Sequence, residues 1–567
     1  MTNPERRTSG RWLPKSIELF FIPNVFKRLK AKFILNDVFA GVTVGIVALP
    51  LAMAFAIASG VSPAKGLFTA IVGGFLISLL SGSRYQIGGP TGAFVVIIYG
   101  IVTRHGYNGL VAATILAGFF LIMFGVLRLG TYIKYIPQPV TTGFTTGIAV
   151  LIFSTQIKDF FGLKIQNVPA EFIEKWESYI QNISTISPVV FLIGIITVAT
   201  IITIRKIYPR IPAHFIAILL ASLVTWYLGL DIQTIGSKFG GIPSKLPEFA
   251  IPTGLSLKLF RAVLPDAITI ALLAAIESLL CAVVADAMTG DKHYSNTELV
   301  GQGVANIGSV FFGGIPATGA IARTATSIKA GAKTPLAGII HVLVIILFVM
   351  FLAPLASYIP LVGLAGVLFV VSWDMSEIHV FKRMFRAPKS DLAVMLVTFI
   401  LTVVSDLTVA VQFGMVFAAL LFMKRMSDVT SVQANKKLFT DEQSLPADMD
   451  PDSTTNKKIP DGVSVYEING PLFFGVADKF NDEFSRVSLA PKVFIIRMRN
   501  VPAIDSTAAF ALESFIKSAT KRGSRIILSE MAAQPHKVIK KMGLEKLVGK
   551  NNIAPSFDEA IKISKLN

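Results

Sequence analysis

Two glycine-rich interruptions in apolar sequence carry the residues best suited to bind an anion. The stretch Gly88-Gly89-Pro90-Thr91-Gly92-Ala93-Phe94 is repeated in loosened form by the stretch from Gly313 to Arg323, and each is a helix breaker followed by a helix start. A helix N-terminus offers unpaired backbone N–H groups and a partial positive charge. Two such ends converging in a protected cavity predict an anion site, because irregular backbone inside a bilayer is tolerated where it lines a cavity.

The predicted binding residues supply backbone N–H donors, hydroxyl groups and the side chains that line the site. Thr91 and Thr318 are expected to cap the two helices or to donate their hydroxyls, and Ala93, Phe94 and Ala320 are expected to shape the wall. The alternative is that these small residues serve close packing of helices. The candidates in the two stretches are Thr91, Gly92, Ala93, Phe94, Thr318, Gly319, Ala320, Ile321, Ala322 and Arg323.

Arg323 is the cation of the predicted site. It follows Thr318 by five positions in an apolar segment. An unpaired guanidinium in hydrocarbon costs several kcal/mol, so the side chain should face the cavity or a carboxylate. There it would add fixed positive charge to the anion site; the alternative is that it extends toward the polar end of its helix.

Glu277 is the acid best placed to carry a proton. It lies in the middle of the apolar run Leu272 to Cys281, and Asp266 lies eleven residues earlier on the same helical face. A carboxyl group inside a membrane is costly and is usually functional, which predicts proton coupling at Glu277. A structural ion pair is the alternative.

Catalytic patterns are missing from the apolar part of the sequence. It contains neither a nucleophile with a paired base nor a phosphate-binding loop, and its histidines are scattered. The single cysteine, Cys281, excludes a disulfide within the chain and a cysteine metal cluster. We therefore predict no enzyme activity, no metal site and no bound cofactor.

The elements that must position these residues are membrane helices. Of the 567 residues, 53% are hydrophobic and 16% charged, with a mean hydropathy of +0.64; soluble domains carry roughly 25% charged residues. We predict fourteen membrane segments, from the length of about 20 apolar residues that a span requires. They lie near 38–59, 66–82, 90–103, 108–128, 139–158, 187–206, 212–230, 261–287, 297–312, 317–330, 335–356, 361–375, 391–406 and 408–425.

The basic residues set the predicted orientation. The net charge is +18, but lysines and arginines stand in short clusters between apolar runs, which argues against a nucleic-acid partner. With both termini in the cytoplasm, the connections that hold Arg84, Arg128, Arg205 and the basic cluster 382–389 fall inside, as the positive-inside bias requires. The loops 159–186 and 231–258 then lie outside.

Fourteen segments divide into two sets of seven, about 33–230 and 258–427. The sets match weakly, with Asp37 corresponding to Asp266 and Gly88-Gly89 to Gly313-Gly314. An odd number of segments in each set inverts the second set, so the helix N-termini at Thr91 and Thr318 should face each other near the midplane. We predict a cytoplasmic tail over 1–32, a transporter domain over 33–427 and a polar linker over 428–460.

A small α/β domain is predicted over 461–567. The runs 463–468, 493–498 and 526–528 have strand character, and 506–520 and 532–542 show helical spacing. Strands that alternate with helices over this length are typical of a small α/β fold, on the cytoplasmic side after fourteen crossings.

These motifs together resemble the sulfate permease (SulP) family of anion transporters. The resemblance rests on the segment from Gly41 to Ala54, the Gly88 to Phe94 stretch, the segment from Glu298 to Gly303 and the Gly313 to Arg323 stretch. It implies a fold like that of the uracil permeases, with two inverted seven-span repeats, a core and a gate subdomain, and a cytoplasmic STAS domain. It also implies that Pro50 and Leu51 contact substrate and that Arg323 matches the arginine of the family's anion site.

Within the family, the run from Ala275 to Val284 with Met288-Thr289-Gly290 is similar to the bacterial C4-dicarboxylic acid transporter branch. That branch implies proton-coupled uptake. The sodium-dependent bicarbonate members carry Asp and Thr where this chain has Glu277 and Cys281, so the resemblance implies H⁺ rather than Na⁺ as the coupling ion.

The C-terminal domain resembles STAS domains at Asp505-Ser506-Thr507-Ala508. The resemblance implies a possible regulatory phosphosite at Ser506 or Thr507, with a helix-capping role as the alternative, and a homodimer held through this domain, with a cytoplasmic partner protein as a further prospect.

The predicted function is secondary active transport of a small anion across a bacterial inner membrane. The expected substrates are a C4-dicarboxylate or sulfate, moved with a proton by an elevator mechanism. The alternatives are a bicarbonate transporter, an anion exchanger, a uniporter or channel, and a membrane anchor for the STAS module.

Overall fold

The computed structural model describes residues 31–133, 137–165, 168–169, 171–208, 211–405, 407–429, 431–435, 457, 459–473 and 491–565. The predicted cytoplasmic tail lies almost wholly outside these residues, as does most of the predicted linker. The described residues divide into two compact units on either side of Met415. The first unit is helical and apolar, and the second contains a five-stranded sheet.

The apolar helices begin with α1, have two short strands between them, and end with a helix within which the two units divide. The elements are α1 (Ala31–Ala58), α2 (Pro63–Leu80), β1 (Gly88–Gly89), a 3₁₀ turn (Gly92–Phe94), α3 (Val95–Val126), α4 (Gly130–Ile133), α5 (Gln138–Phe161), α6 (Phe172–Gln181), α7 (Pro188–Ile207), α8 (Ala213–Tyr227), α9 (Ile235–Phe239), α10 (Leu257–Ala262), α11 (Leu264–Thr289), α12 (Ser295–Phe311), β2 (Thr318–Gly319), α13 (Ile321–Lys329), α14 (Leu336–Leu347), α15 (Ala353–Ala356), α16 (Leu361–Met375), α17 (Ile378–Met384), α18 (Lys389–Val404) and α19 (Leu407–Val429).

Each of the fourteen predicted apolar segments coincides with a helix. Among the described residues, eight helical segments are long and apolar enough to cross a bilayer, and the number of crossings stays a prediction. The third and fourth predicted segments are one helix, α3, with a kink at Gly106, where φ is 65°. Glycine adopts this backbone conformation without a steric penalty, so the chain changes direction there without a separate loop.

The helices pack in two groups. The first, which we call the core group, contains α1, α2, α3, α11, α12, α13 and α14; the second, the gate group, contains α5, α7, α8, α16 and α18. Glycines allow close approach in the core group: a Cβ on Gly118 of α3 would lie 2.7 Å from the carbonyl oxygen of Gly303 of α12. Close packing of this kind replaces the hydrophobic effect as the attraction between helices in lipid.

Two short strands meet inside the core group. Gly88 pairs with Gly319 and Gly89 with Thr318 in an antiparallel ladder. Gly313-Gly314 precede β2 and take no part in the ladder, and the repeat alignment of Gly88-Gly89 with Gly313-Gly314 stays a prediction.

The second unit contains the predicted α/β domain. Its sheet has the order β3 (Ser431–Asn435), β4 (Val463–Asn469), β5 (Val493–Asn500), β6 (Arg525–Ser529) and β7 (Ile553–Ala554). All neighbours are parallel except β3 and β4. The helices are α20 (Ser506–Lys521), α21 (Ala533–Lys541), α22 (Leu544–Val548) and α23 (Phe557–Lys565). Three strands and two helices confirm the prediction, whereas residues 431–435, assigned to the linker, form the antiparallel edge strand.

Candidate functional site

A cavity of about 330 Å³ lies where the core group meets the gate group. The core group contributes side chains from α1, α11 and α13 and the turn that precedes α3. The gate group contributes side chains from α5, α7, α8 and α16. Most of the lining is apolar, with a few charged and hydroxyl groups, as in typical small-ligand sites.

The loop before β2 is buried, and side chains from its neighbours satisfy its backbone. Thr69 Oγ1 accepts a hydrogen bond from the N–H of Ile315 at 2.7 Å, and Asn306 Oδ1 accepts one from the N–H of Ala317 at 2.9 Å. A buried irregular segment needs such partners, since an unpaired backbone group costs free energy comparable to a lost hydrogen bond. These contacts fix the start of α13, which carries the candidate cation.

Arg323 lies in the first turn of α13, is 2% exposed and lines the cavity. Its Nη2 donates to the carbonyl oxygen of Pro90 at 2.9 Å, which joins α13 to the turn before α3. Its Nη1 has no hydrogen-bond partner among the described residues. A buried N–H donor of a charged group without a partner is costly, and an anion would supply the acceptor.

Glu277 of α11 faces the same cavity and is half-buried. Thr91 donates its hydroxyl to Glu277 Oε2 at 3.0 Å. Thr91 precedes the 3₁₀ turn that leads into α3, so this bond links the helix start to the acid. The acid and the cation thus each form a hydrogen bond with the segment Pro90-Thr91.

The two predicted helix starts meet at the cavity, with one correction. The second helix begins at Ile321, with Ala320 at its N-cap, and Thr318 lies in β2. The prediction that Thr318 caps the helix is wrong: its hydroxyl donates to the carbonyl oxygen of Ala274 at 3.2 Å. The backbone N–H groups that open α13 belong instead to Ile321 and the residues after it, because the first turn of a helix leaves them without intrahelical partners.

Most of the predicted site residues line this one cavity. These are Leu51, Thr91, Gly92, Ala93, Glu277, Gly319, Ala320, Ile321, Ala322 and Arg323. Pro50, Phe94 and Thr318 do not line it. Phe94 and Thr318 are 0% exposed and pack behind the wall, and Pro50 is buried within α1. The roles of all these residues in substrate binding stay predictions.

Comparison with known proteins decides the family. The model of the sulfate permease family matches residues 34–398, and the STAS domain model matches residues 454–560. This chain belongs to the sulfate permease family. The match spans the core group, most of the gate group and both glycine-rich stretches, so the cavity lies wholly inside the family's domain.

Relatives of this family align along nearly the full chain. A protein of Bacillus subtilis named putative sulfate transporter YvdB is 40% identical over 94% of this chain and 98% of the relative. The bicarbonate transporter BicA of Synechocystis is 31% identical over 93% of both chains. The structure of murine solute carrier 26 family member A9, an anion transporter in the inward-facing state, superposes with a TM-score of 0.84 at 17% identity, covering 99% of this chain and 97% of that one. The chain is a multi-pass membrane anion transporter, and its relatives are transporters and not enzymes.

Sequence reasoning missed the gate side of the cavity. The lining there includes Thr145, Arg205, His214, Asp374 and Glu377. Arg205 Nη1 donates to Asp374 Oδ2 at 2.8 Å, and its Nη2 lies 2.9 Å from His214 Nε2. The sequence interprets Arg205 only as a topology signal, because nothing in its neighbourhood points to an acid 169 residues away.

Other polar groups of α11 have partners inside the protein. Asp266 Oδ1 accepts from Arg104 Nη2 at 2.9 Å, and Cys281 donates its thiol to Thr324 Oγ1 at 3.2 Å. Cys281 is thus a link between α11 and α13. Within the described part of the chain, no group of three or more His, Cys, Asp or Glu side chains is arranged to hold a metal ion.

In the STAS domain, the capping role falls to Asp505. Its carboxylate accepts the N–H of Ala508 at 2.8 Å, whereas Ser506 and Thr507 lie in the first turn of α20 and are exposed. The alternative that one of these two hydroxyls caps the helix is therefore wrong. Phosphorylation of either hydroxyl stays a prediction.

Proposed function

We propose that this protein is a secondary active transporter that moves a small oxyanion, sulfate or a C4-dicarboxylate, together with a proton. The observation that carries the proposal is that Arg323 and Glu277 line the same cavity. Arg323 supplies a positive charge and a donor without a partner, and Glu277 supplies a group that can take up a proton.

The charges of the cavity explain why the proton should accompany the anion. Arg205 is neutralised by Asp374, and Glu377 is exposed at the gate side. When Glu277 is ionised, its charge offsets that of Arg323 and an entering anion meets little net attraction. When Glu277 is protonated, the charge of Arg323 is available to the anion, so each ligand strengthens the binding of the other.

Thr91 adds a switch to this arrangement. Its hydroxyl now donates to Glu277. An ionised carboxylate only accepts hydrogen bonds, whereas a protonated one can also donate. Protonation of Glu277 therefore weakens the hydrogen bond that it accepts from the Thr91 hydroxyl. The hydroxyl is then free to donate to the anion beside the backbone N–H groups of the 3₁₀ turn.

The position of the cavity favours an elevator movement. Arg323, Glu277 and Thr91 belong to the core group, and the opposite wall belongs to the gate group. A core group that slides as a rigid body past the gate group would carry anion and proton together. It would then expose both on the opposite side of the membrane. The proposed active form is a homodimer that associates through the STAS domain.

Uptake into proteoliposomes tests the proposal. Labelled sulfate, succinate and bicarbonate are offered separately, with and without an inward proton gradient. We expect sulfate or succinate to accumulate above equilibrium only with the gradient, and Arg323→Gln to abolish uptake. Equilibration without accumulation would instead identify a uniporter or channel, and gradient-independent swapping of internal for external anion would identify an exchanger.

Bicarbonate transport is the second candidate. It is favoured by the 31% identity to the bicarbonate transporter BicA over 93% of the chain. The same vesicles distinguish the candidates, because labelled bicarbonate would then accumulate in preference to sulfate and succinate, and a sodium gradient imposed in place of the proton gradient would report Na⁺ coupling.

A further inference from the structure

A second cavity, of about 560 Å³, lies at the other end of the boundary between the core and gate groups. Its walls come from α3 and α11 on one side and from α5, α18 and the start of α6 on the other. Asp266 lines this cavity and Glu277 lines the first one, and their separation of eleven positions corresponds to about 16 Å along α11. The linings of the two cavities have no residue in common, so the cavities are separate.

Lys175 of α6 is the unusual residue in this second cavity. Its side chain is 3% exposed and lines the cavity. It forms no ion pair with a described carboxylate, and its Nζ lies 5.7 Å from the centre of the Tyr99 ring. The other cation of the cavity, Arg104, is already paired with Asp266.

The burial of Lys175 is contrary to the pattern of its own helix. The two buried residues of α6 are Lys175 and Tyr179, whereas Ile173 and Ile180 are 58% and 66% exposed. A surface helix normally turns its lysines to water and its isoleucines to the protein. Burying an unpaired ammonium group costs several kcal/mol, and a bound anion would offset that cost.

Burial also affects the protonation of this side chain. It lowers the pKa of Lys175 to about 8, so the ammonium group remains mostly charged at neutral pH. Glu171 and Asp266 also line the cavity, but no described carboxylate lies within ion-pair distance of Lys175 to offset the desolvation of the charged form. A small anion in the cavity would provide that partner.

We propose that the second cavity is an anion-binding site in which Lys175 holds a small oxyanion on its way to or from the Arg323 cavity. The site rests on the proposed function, because its anion is the class of substrate proposed there. Lys175 belongs to a loop helix packed on the gate group and contacts Tyr99 of the core group, so an anion bound to it lies at the boundary that an elevator movement would open.

Trp176, adjacent to Lys175, provides the reporter for a test. The full-length chain with Trp12→Phe, Trp226→Phe and Trp373→Phe retains Trp176 as its only tryptophan. It is placed in nanodiscs of zwitterionic lipid and titrated at constant ionic strength with sodium sulfate, sodium bicarbonate or disodium succinate. We expect a saturable change in Trp176 emission with at least one of these anions.

Two matched lysine variants decide whether Lys175 is responsible. Lys175→Met should weaken the anion response about tenfold or abolish it, as expected for loss of a charge-assisted hydrogen bond. Lys164→Met removes an exposed lysine of the same loop and should leave the response unchanged. The proposal is overturned if Lys175→Met titrates like the parent, if none of the three anions produces a saturable response, or if a response requires anionic lipid.

Folding and the proposed function are controlled separately. Because Lys175→Met removes a buried charge that has no ion-pair partner among the described residues, the anion-free protein should unfold at the same or a higher temperature, and a lower one would assign Lys175 a structural role in place of a binding role. Arg323→Gln should abolish uptake and leave the Trp176 response intact. If Arg323→Gln leaves uptake unchanged, the proposed function fails while the Trp176 titration still decides the second site.

Discussion

Among single residues, Arg323 and Glu277 are distinguished by their hydrogen bonds to one segment of backbone. Arg323 donates to the carbonyl oxygen of Pro90, and Glu277 accepts from Thr91, the next residue. Under the proposed function, a change in protonation or occupancy at one group would alter the other through these two adjacent residues. This proximity supports a coupled site more strongly than either side chain alone.

The first prediction concerns the charge of Arg323. Arg323→Gln should lower kcat/KM for the anion by roughly a hundredfold or more and so abolish measurable uptake, since the fixed charge is lost together with hydrogen bonds to a charged group that contribute about 1.5–3 kcal/mol each. Arg323→Lys should recover part of the loss, because it restores the charge without the planar donor pair. Initial rates in proteoliposomes measure both, and equal rates for Gln and Lys variants would mean that charge is not what the residue contributes.

The second prediction concerns the hydrogen bond from Thr91. Thr91→Val keeps the shape of the side chain and removes the hydroxyl, while Thr91→Ser keeps the hydroxyl. The Val variant should bind the anion more weakly, because both the contact with Glu277 and the donor to the anion are lost, and the Ser variant should retain binding. Competition against labelled substrate measures the affinity. Equal affinities for Val and Ser would show that the hydroxyl is dispensable.

At the scale of elements, the β1–β2 ladder positions the two helix starts. Its residues have almost no space around them: a Cβ on Gly319 would lie 1.6 Å from Nε2 of Gln86, and one on Gly89 would lie 2.7 Å from Nη1 of Arg323. Gly89 and Gly319 are therefore required because protein side chains pack directly against them. This close packing of Gln86 and Arg323 against the two strands shapes the cavity wall.

The third prediction follows from that packing. Gly319→Ala should reduce transport severely and lower the thermal unfolding midpoint, because Gln86 would have to leave its place against the strand. Gly363→Ala is the matched control, since its Cβ would meet only ordinary contacts at 3.5 Å and 3.6 Å within a helix. The thermal unfolding midpoint and the rate of uptake are measured for both variants. A Gly319→Ala protein that unfolds and transports like the control would contradict the close packing of the ladder.

The sequence predicted many of the helices and one wall of the cavity. Apolar runs located the long helices of the first unit, and the glycine-rich stretches located one wall of the cavity. The helix start at Ile321 was missed because Thr318 is a good capping residue by type, and only the strand pairing with Gly89 shows that it is extended. The gate wall was missed because Arg205 and Asp374 meet only in the folded chain.

In the transporter domain as a whole, the proposed mechanism needs two rigid groups of helices with the site between them. The core group carries Glu277 and Arg323, and the gate group supplies the facing wall. An alternating cavity should be open to one side of the membrane at a time. A channel should be open to both.

The fourth prediction tests this alternation. In a Cys281→Ser background, Ala320→Cys places the only thiol in the cavity wall. A membrane-impermeant thiol reagent should label it from the side on which the cavity is open, and a proton gradient with substrate should shift labelling toward the opposite side. The background without the added cysteine is the control. Equal labelling from both sides under all conditions would point to a channel.

The central claim is that anion and proton cross together through the Glu277 and Arg323 cavity, and co-transport of protons tests it most directly. A pH-sensitive dye sealed inside proteoliposomes reports proton entry while labelled sulfate or succinate is added outside. We predict substrate-dependent acidification that Arg323→Gln abolishes, and that Glu277→Gln loses while anion exchange between the two sides continues. Gradient-driven accumulation with undiminished acidification in Glu277→Gln would contradict the account.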